Sequence, residues 1–152
     1  MARAFDVAVI GGGLVGGAIA YGLARLGRRT ALLDEGDIAY RASRGNFGLV
    51  WVQGKGQGLA PYGNWTQNAA RRWPELARLL HEDSGIDLAL EQRGGFHVCL
   101  SAAEMENRVA SMTKLLEQAG FQRYAFEVLD RAALAARVPG IGADVVGATY
   151  CA

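Results

Sequence analysis

The amino-acid sequence predicts an α/β fold in which a parallel βαβ unit comes first and an antiparallel α+β region follows. The βαβ unit is predicted from an apolar run, a glycine-rich turn, a helical pattern and a second apolar run, in that order along residues 7–33. The antiparallel region is predicted from short alternating runs between helical patterns after residue 85. The change of pattern indicates two domains, 1–85 and 86–152.

The first unit begins with apolar residues at 7–10, which is typical of a strand buried on both faces. The helix that follows has a periodic apolar stripe, and we expect this stripe to lie on the sheet. Gly27 supplies the left-handed residue at which helices often end, and residues 30–33 predict the second strand. The stripe consists of Val15, Ile19, Leu23 and Leu26.

Glycines and one carboxylate give the βαβ unit its chemistry. Gly11 allows a tight turn, and Gly13 removes a Cβ that would keep a diphosphate from the backbone. Gly16, helped by Gly17 and Ala20, lets the helix approach the strand. The first amides of the helix lack intrahelical partners and lie at its positive end. Asp34 follows at the spacing where an acid binds ribose hydroxyls and would repel a 2′-phosphate. The pattern predicts an adenine dinucleotide, disfavours NADP, and leaves FAD and NAD open.

A glycine-rich loop at 36–61 and a long helix at 62–82 come next. The loop contains an apolar segment at 49–52, so we expect it to be ordered, and its donors suit a second anionic or heteroaromatic group. In the helix, Pro74 is expected to cause a kink or a split into two helices. We expect the apolar stripe of this helix to be core, and it consists of Trp65, Ala69, Trp73, Leu76 and Leu80.

The antiparallel region is predicted to open with a hairpin between residues 86–91 and 96–100, where apolar and polar residues alternate. Ser101 and Glu104 then form the capping box of another helix. We expect the remaining elements to be a strand at 125–129, a short helix capped by Asp130 and a strand at 145–150.

Composition narrows the class of protein. The 152 residues are 51% hydrophobic, as in a soluble globular domain, and the net charge of +1 gives no general attraction to nucleic acid or acidic membranes. No run approaches the ~20 apolar residues of a membrane span. Cys99 and Cys151 lack metal or disulfide spacing, which favours reduced thiols, no metal, and a cytoplasmic location with a peripheral membrane position left open. Since two parallel strands do not make a stable sheet, we expect the N-terminal part of a longer protein.

Longer stretches of the sequence resemble one family. The run SRGNFGLVWVQGKG is similar to a branch with D-amino-acid dehydrogenases, opine oxidase and the flavin subunits of hydrogen cyanide synthase. QRGGFHVCLSAAE resembles the start of the family's substrate-domain sheet, and EVLDRAAL followed by GATY resembles its next segment. The wider family comprises FAD-dependent amine and amino-acid oxidoreductases of the D-amino-acid oxidase, glycine oxidase and sarcosine oxidase type. The resemblance covers essentially the whole chain.

The resemblance implies a Rossmann-like FAD-binding domain in its N-terminal part, followed by the incomplete beginning of a substrate domain. Catalytic residues are unknown, since the family's substrate contacts lie largely beyond Ala152. The implied FAD contacts are Gly11, Gly13, Leu14, Val15 and Gly16 for the diphosphate, Asp34 with Glu35 for the ribose, Ser43 and Arg44 for the diphosphate or ribityl group, and Asn46, Phe47, Gly48 and Leu49 for the isoalloxazine ring.

The implied reaction is hydride transfer from the amine-bearing carbon of an amino acid or amine to flavin N5, after which water hydrolyses the imine. Oxygen, an electron-transfer partner or a partner subunit would complete the cycle. Two alternatives stay open: an NAD-dependent dehydrogenase with the same glycine turn, and a non-catalytic fragment or flavin subunit that needs a partner. We expect the isolated 152-residue chain to hold FAD poorly.

Overall fold

The chain forms two compact units, Met1–Leu49 and Val50–Ala152. The computed structural model describes residues 4–36 and 42–152, so residues 37–41 of the predicted glycine-rich loop lie outside the described ranges. The first unit contains the predicted βαβ motif, and the second contains the long helix and the antiparallel strands. The domain boundary at residue 85 concerns the complete protein and stays a prediction.

The first unit has the predicted order of strand, helix and strand. Strand β1 (Val7–Ile10) pairs in parallel with β2 (Thr30–Leu33), and helix α1 (Leu14–Arg25) connects them. Gly27, with φ of 71°, donates its N–H to the Ala24 carbonyl oxygen at 2.9 Å. This glycine ends the helix as predicted, because its left-handed backbone satisfies a carbonyl of the last turn.

The apolar stripe of α1 is largely uncovered. Val15 is 74% exposed, Ile19 49% and Leu26 76%, so the prediction that the stripe lies on the sheet is wrong for this unit. Two strands of four residues each offer too little surface to cover a helix of three turns. The contact between α1 and the sheet is made instead on its glycine side, at Gly16.

The second unit contains three strands and three helices. Strand β5 (Gly147–Cys151) is central in an antiparallel sheet and lies between β3 (Gly95–Cys99) and β4 (Glu127–Asp130). One group of buried side chains is Leu129, Leu134, Val145 and Ala148, and another is Ala60, Leu115 and Phe121. The elements are α2 (Ala60–Ser84), β3 (Gly95–Cys99), α3 (Ala102–Glu117), β4 (Glu127–Asp130), α4 (Arg131–Arg137) and β5 (Gly147–Cys151).

The predicted N-terminal caps of α3 and α4 are confirmed. The Ser101 hydroxyl accepts a hydrogen bond from the Glu104 N–H at 3.1 Å, and the Glu104 carboxylate accepts one from the Leu100 N–H at 2.6 Å. Asp130 likewise accepts from the Ala133 N–H at 2.8 Å. Both caps satisfy amides that the helices leave without an intrahelical acceptor.

The hairpin predicted between residues 86–91 and 96–100 is wrong. Residues 86–91 form no strand, and β3 pairs with β5, the last strand of the chain. The Asp87 carboxylate accepts a hydrogen bond from the Ala89 N–H at 2.8 Å, and Ala89 has φ of 49°. This aspartate turn interrupts the extended backbone that a strand requires.

Pro74 is predicted to kink α2 or to split it into two helices; the helix continues through Pro74, so the split is wrong, and the kink stays a prediction. Because proline has no N–H, the carbonyl oxygen of Ala70 loses its usual donor. The side-chain amide of Gln92 donates to that oxygen at 2.9 Å instead. A residue outside the helix thereby supplies the hydrogen bond that Pro74 removes.

The aromatic stripe of α2 does not pack into the core of the second unit, so that prediction is wrong as well. Trp65 is 70% exposed, and the stripe lines an open groove of about 470 Å³. The opposite, small-residue side of the helix is buried: a Cβ on Gly63 would lie 2.3 Å from the ring of Phe121. None of the helices in the described ranges has the length and apolar character needed to cross a bilayer.

Candidate functional site

The turn between β1 and α1 is built from glycine backbone. Gly11 has φ of 102°, which strongly favours glycine, and its N–H donates to the Leu33 carbonyl oxygen at 2.7 Å. Gly13 precedes the helix without a side chain that could cap it. The first amides of α1 therefore depend on acceptors outside the helix, and they lie at the positive end of the helix dipole.

Gly16 makes the closest approach between helix and turn. A Cβ built on it would lie 1.8 Å from the carbonyl oxygen of Gly11, a distance that no side chain could occupy. The predicted close packing at Gly16 is thereby confirmed, and its predicted contact with the diphosphate stays a prediction. Gly17, next to it, has no atom within 4 Å of the corresponding Cβ position, so it makes no such contact.

Asp34 and Ser43 face the glycine turn. One carboxylate oxygen of Asp34 accepts a hydrogen bond from the Gly12 N–H, and the other accepts from the Gly36 N–H at 3.0 Å. The Ser43 hydroxyl accepts from the Leu14 N–H at 2.9 Å. Asp34 and Ser43 thus lie at the start of α1, although they are 22 and 29 residues in sequence from the amides that they accept from.

Some of the remaining candidate residues lie near the glycine turn, and other described ones have no hydrogen bond to it. Val15 and Glu35 are exposed near the glycine turn, and Arg44 is exposed next to Ser43. Residues 46–49 follow the turn at 42–45 and have no regular secondary structure, and Asn46 Oδ1 accepts a hydrogen bond from the Gly48 N–H at 2.7 Å. Among the described residues, no hydrogen bond joins residues 46–49 to the glycine turn.

The donors and acceptors present fit the diphosphate and ribose of FAD. The amides at the helix N-terminus suit phosphate oxygens, and the close approach of Gly16 to the Gly11 carbonyl oxygen leaves no room for a side chain at that position. The Asp34 carboxylate lies close enough to the turn to accept ribose hydroxyls. A phosphate oxygen would share or replace the position of the Ser43 hydroxyl at the Leu14 amide.

The later part of the glycine-rich loop does not offer the donors that the sequence suggests. The Gly54 N–H donates to the Tyr124 hydroxyl at 3.2 Å, and the Gly58 N–H donates to Gln118 Oε1 at 2.6 Å. These two amides are engaged within the second unit. The expectation that they serve a second anionic group is therefore wrong for this part of the loop.

Sequence reasoning missed a polar network in the second unit, formed by Gln53, Arg108 and Thr149, which we call the Gln53 clamp. Thr149 is completely buried and Gln53 is 7% exposed. Burial lowers the pKa of Arg108, while burial and the nearby Arg108 charge lower the pKa of His97. The available signal was a threonine between apolar residues of β5, which did not indicate its distant partners.

Cys99 is buried and Cys151 is partly buried, and both are free thiols. Burial raises the pKa of each thiol. In the ranges that the structure describes, no cluster of histidine, cysteine or carboxylate side chains is arranged to hold a metal ion.

Comparison with known proteins gives consistent matches along the chain. The sequence pattern that defines FAD-dependent oxidoreductases matches residues 6–152. One of the opine oxidase subunits of Agrobacterium tumefaciens (strain Ach5) is 49% identical over 147 residues, which are 97% of this chain and 40% of that protein. The corresponding opine oxidase polypeptide of Rhizobium meliloti is 45% identical over 96% of this chain and 39% of its own length.

Solved structures agree with the fold. Glycine oxidase from Bacillus cereus superposes with a TM-score of 0.82 at 25% identity, covering 97% of this chain and 38% of that one. Glycine oxidase from Geobacillus kaustophilus superposes with a TM-score of 0.84 at 24% identity, over 97% and 39% of the two chains. The chain thus spans about two fifths of the length of the relatives it matches.

Proposed function

The chain belongs to the family of FAD-dependent oxidoreductases, and from that membership we propose that the complete protein oxidises the CH–NH bond of an amino acid or secondary amine. The observation that carries the proposal is the glycine turn that Asp34 and Ser43 face. Relatives named for glycine and for opines support this substrate class, since glycine is an amino acid.

We propose that residues of the first unit bind and orient the cofactor in the complete protein. The first amides of α1 bind the diphosphate, and the Asp34 carboxylate accepts hydrogen bonds from the adenosine ribose. We propose that Glu35 lies close to the same ribose and that Ser43 and Arg44 contact the diphosphate or the ribityl group. Residues 46–49 are proposed to contact the isoalloxazine ring. When bound, FAD supplies the acceptor for the hydride of the substrate.

A partner subunit is part of the proposal. Two of the relatives are each named as one subunit of opine oxidase, which indicates that those proteins assemble with another polypeptide. We propose that this protein also requires a partner subunit or another electron acceptor. The free thiols support the proposed cytoplasmic location, because a reducing compartment keeps cysteines unpaired.

The test is to purify the complete protein and record its absorbance spectrum and its activity with a panel of D-amino acids, glycine and opines. We expect flavin absorbance bands and turnover of at least one of these compounds. A protein without flavin that binds NADH instead would contradict the proposal and favour an NAD-dependent dehydrogenase. Flavin absorbance without turnover, unless a partner is added, would support the flavin-subunit form of the proposal.

A further inference from the structure

The buried side of helix α2 is made of polar and small residues. The side-chain amide of Gln67 donates to the Gln122 carbonyl oxygen at 2.9 Å, and that of Asn64 donates to the Gly120 carbonyl oxygen at 2.7 Å. These hydrogen bonds hold one side of α2 on the segment that follows α3. The residues of α2 that are buried are Ala60, Gly63 and Gln67.

The opposite side of α2 is apolar and open. Successive residues of a helix are turned by about 100°, so the stripe of residues 65, 69, 73, 76 and 80 lies about half a turn from Gln67. Trp65 is 70% exposed, and Trp73 and Leu76 are only partly buried. A helix at a protein surface normally buries its apolar side and exposes its polar side. In α2 this arrangement is reversed.

The apolar side of α2 forms an open groove of about 470 Å³, which we call the α2 groove. The described residues that line it all belong to α2 itself. Its apolar lining is Trp65, Ala69, Trp73, Leu76 and Leu79. A contiguous apolar surface that contains two tryptophans and is bordered by polar residues is typical of a site that another polypeptide segment covers.

The length and charge of the α2 groove suit a second helix. From residue 65 to residue 79 the groove is about 21 Å long, which corresponds to about four helical turns. Its apolar residues are three or four positions apart, the spacing at which the side chains of two helices interdigitate. Arg72, exposed at the rim, has no hydrogen bond or ion pair with the residues that the structure describes. A carboxylate beside the apolar side of the second helix would pair with it.

We propose that the α2 groove is covered, in the complete protein, by an amphipathic helix that follows residue 152 in the chain and places a carboxylate opposite Arg72. The relatives match this chain over their N-terminal two fifths, so about three fifths of their length lies beyond the matched region. A segment of the same chain has a higher effective concentration at the groove than a separate polypeptide has, which favours it as the occupant. The proposal concerns packing and does not rest on the proposed reaction.

Photo-cross-linking in the complete protein identifies the occupant. A photoreactive p-benzoylphenylalanine replaces Trp65, so that one aromatic side chain takes the place of another, and the irradiated protein is digested for peptide mass spectrometry. We expect cross-links within one polypeptide, to a peptide beyond residue 152 that has apolar residues three or four positions apart and an aspartate or glutamate beside them. Cross-links that join two copies, that join a different polypeptide, or that fall only within residues 1–152 would overturn the proposal.

A matched pair of cysteine variants measures whether the groove is covered. Ala69→Cys places a thiol in the α2 groove and Ala110→Cys places one on α3, and both alanines are exposed within a helix. Maleimide labelling of each site is followed by peptide mass spectrometry, in the native protein without an added partner and in the same protein unfolded by urea. At residue 69 we expect the native rate to be at least about tenfold below the unfolded rate, and at residue 110 the two rates should agree within about threefold.

The labelling rates also separate the possible occupants. Equal native and unfolded rates at residue 69 would overturn the proposal, whether or not an added partner subunit then slows the labelling. Slow labelling that is lost on dilution would overturn it as well, because a second copy would then be the cover. If the benzoylphenylalanine variant does not fold, the rates of Ala69→Cys decide, since this substitution adds a single sulfur atom. None of these measurements uses flavin, so a protein without flavin would overturn the proposed function and leave the packing to be judged by the cross-links and rates.

Discussion

Gly16 and Gly17 are adjacent, yet only one of them is constrained. A side chain on Gly16 would meet the backbone oxygen of Gly11, whereas the space around Gly17 is open. Backbone atoms cannot rotate away as a flexible side chain would, so the turn and the helix would have to separate. The requirement for glycine at position 16 thus comes from its contact with the glycine turn and not from its place in a helix.

Replacing Gly16 by alanine should disrupt the glycine turn between β1 and α1. Overpacking of this kind costs about 1–3 kcal/mol, and we expect FAD binding by the complete protein to weaken by about 10- to 100-fold. The measurement is a titration of the apoprotein with FAD, followed by flavin fluorescence.

Gly17→Ala is the matched control, because it adds the same methyl group one residue later. We expect unchanged FAD affinity and a gain in stability of about 0.5–1 kcal/mol, since alanine favours a helix over glycine. Equal affinities for the two variants would show that the close approach at Gly16 does not support the cofactor site.

At the scale of an element, α2 shows how a helix tolerates an internal proline. Pro74 removes one donor, and Gln92, which lies outside the helix, replaces it at the Ala70 carbonyl oxygen. The sequence shows Pro74 but not this compensation, because the amide that supplies the donor is 22 residues from its acceptor. The helix therefore continues through a proline at which the local pattern predicts a kink or a split.

The compensation predicts a coupling between the two side chains. Gln92→Leu should lower the free energy of unfolding by about 1 kcal/mol, since it leaves the Ala70 carbonyl without a protein donor. In a Pro74→Ala background, the restored N–H bonds that carbonyl, and the same substitution should cost less than about half as much. A double-mutant cycle by urea unfolding measures the difference. Equal costs in the two backgrounds would mean that Gln92 does not compensate for Pro74.

Sequence patterns succeed for elements when their causes are local. The turn at Gly11, the stop at Gly27 and the cap of Ser101 on Glu104 each depend on residues within a few positions of one another, and each is confirmed. The predicted hairpin fails because alternation does not reveal which strand is the partner. The correct partner of β3 is β5, about 50 residues later in the chain. Distant polar networks such as the Gln53 clamp are invisible for the same reason.

At the scale of the whole molecule, many apolar side chains in both units are exposed. Ile10 is 86% exposed and Leu14 is 69% exposed, both next to the glycine turn, and Trp65 is exposed in the second unit. A periodic pattern predicts which side of a helix is apolar, but it does not say what covers that side. The predictions that the apolar stripes of α1 and α2 are covered by the rest of the chain are wrong for this reason. Relatives of this chain are about two and a half times as long.

The isolated 152-residue chain should bind FAD at least about tenfold more weakly than the complete protein, because an open, solvated site orders less of the ligand. The comparison requires both chains, purified in parallel and titrated with FAD under the same conditions. Gel filtration of the isolated chain checks that it is monomeric and compact. Stoichiometric FAD retained by the isolated chain through purification would contradict this prediction.

The contact between Gly56 and Gly63 limits how sequences of this type can diverge. A Cβ on Gly56 would lie 2.5 Å from the Cα of Gly63, and one on Gly63 would strike Phe121. Neither position can acquire a methyl group by a single codon change without separating the loop from the helix. Each of these two positions should therefore stay glycine wherever the loop packs on the helix in this way, whereas an alanine at Gly17 would meet no neighbouring atom.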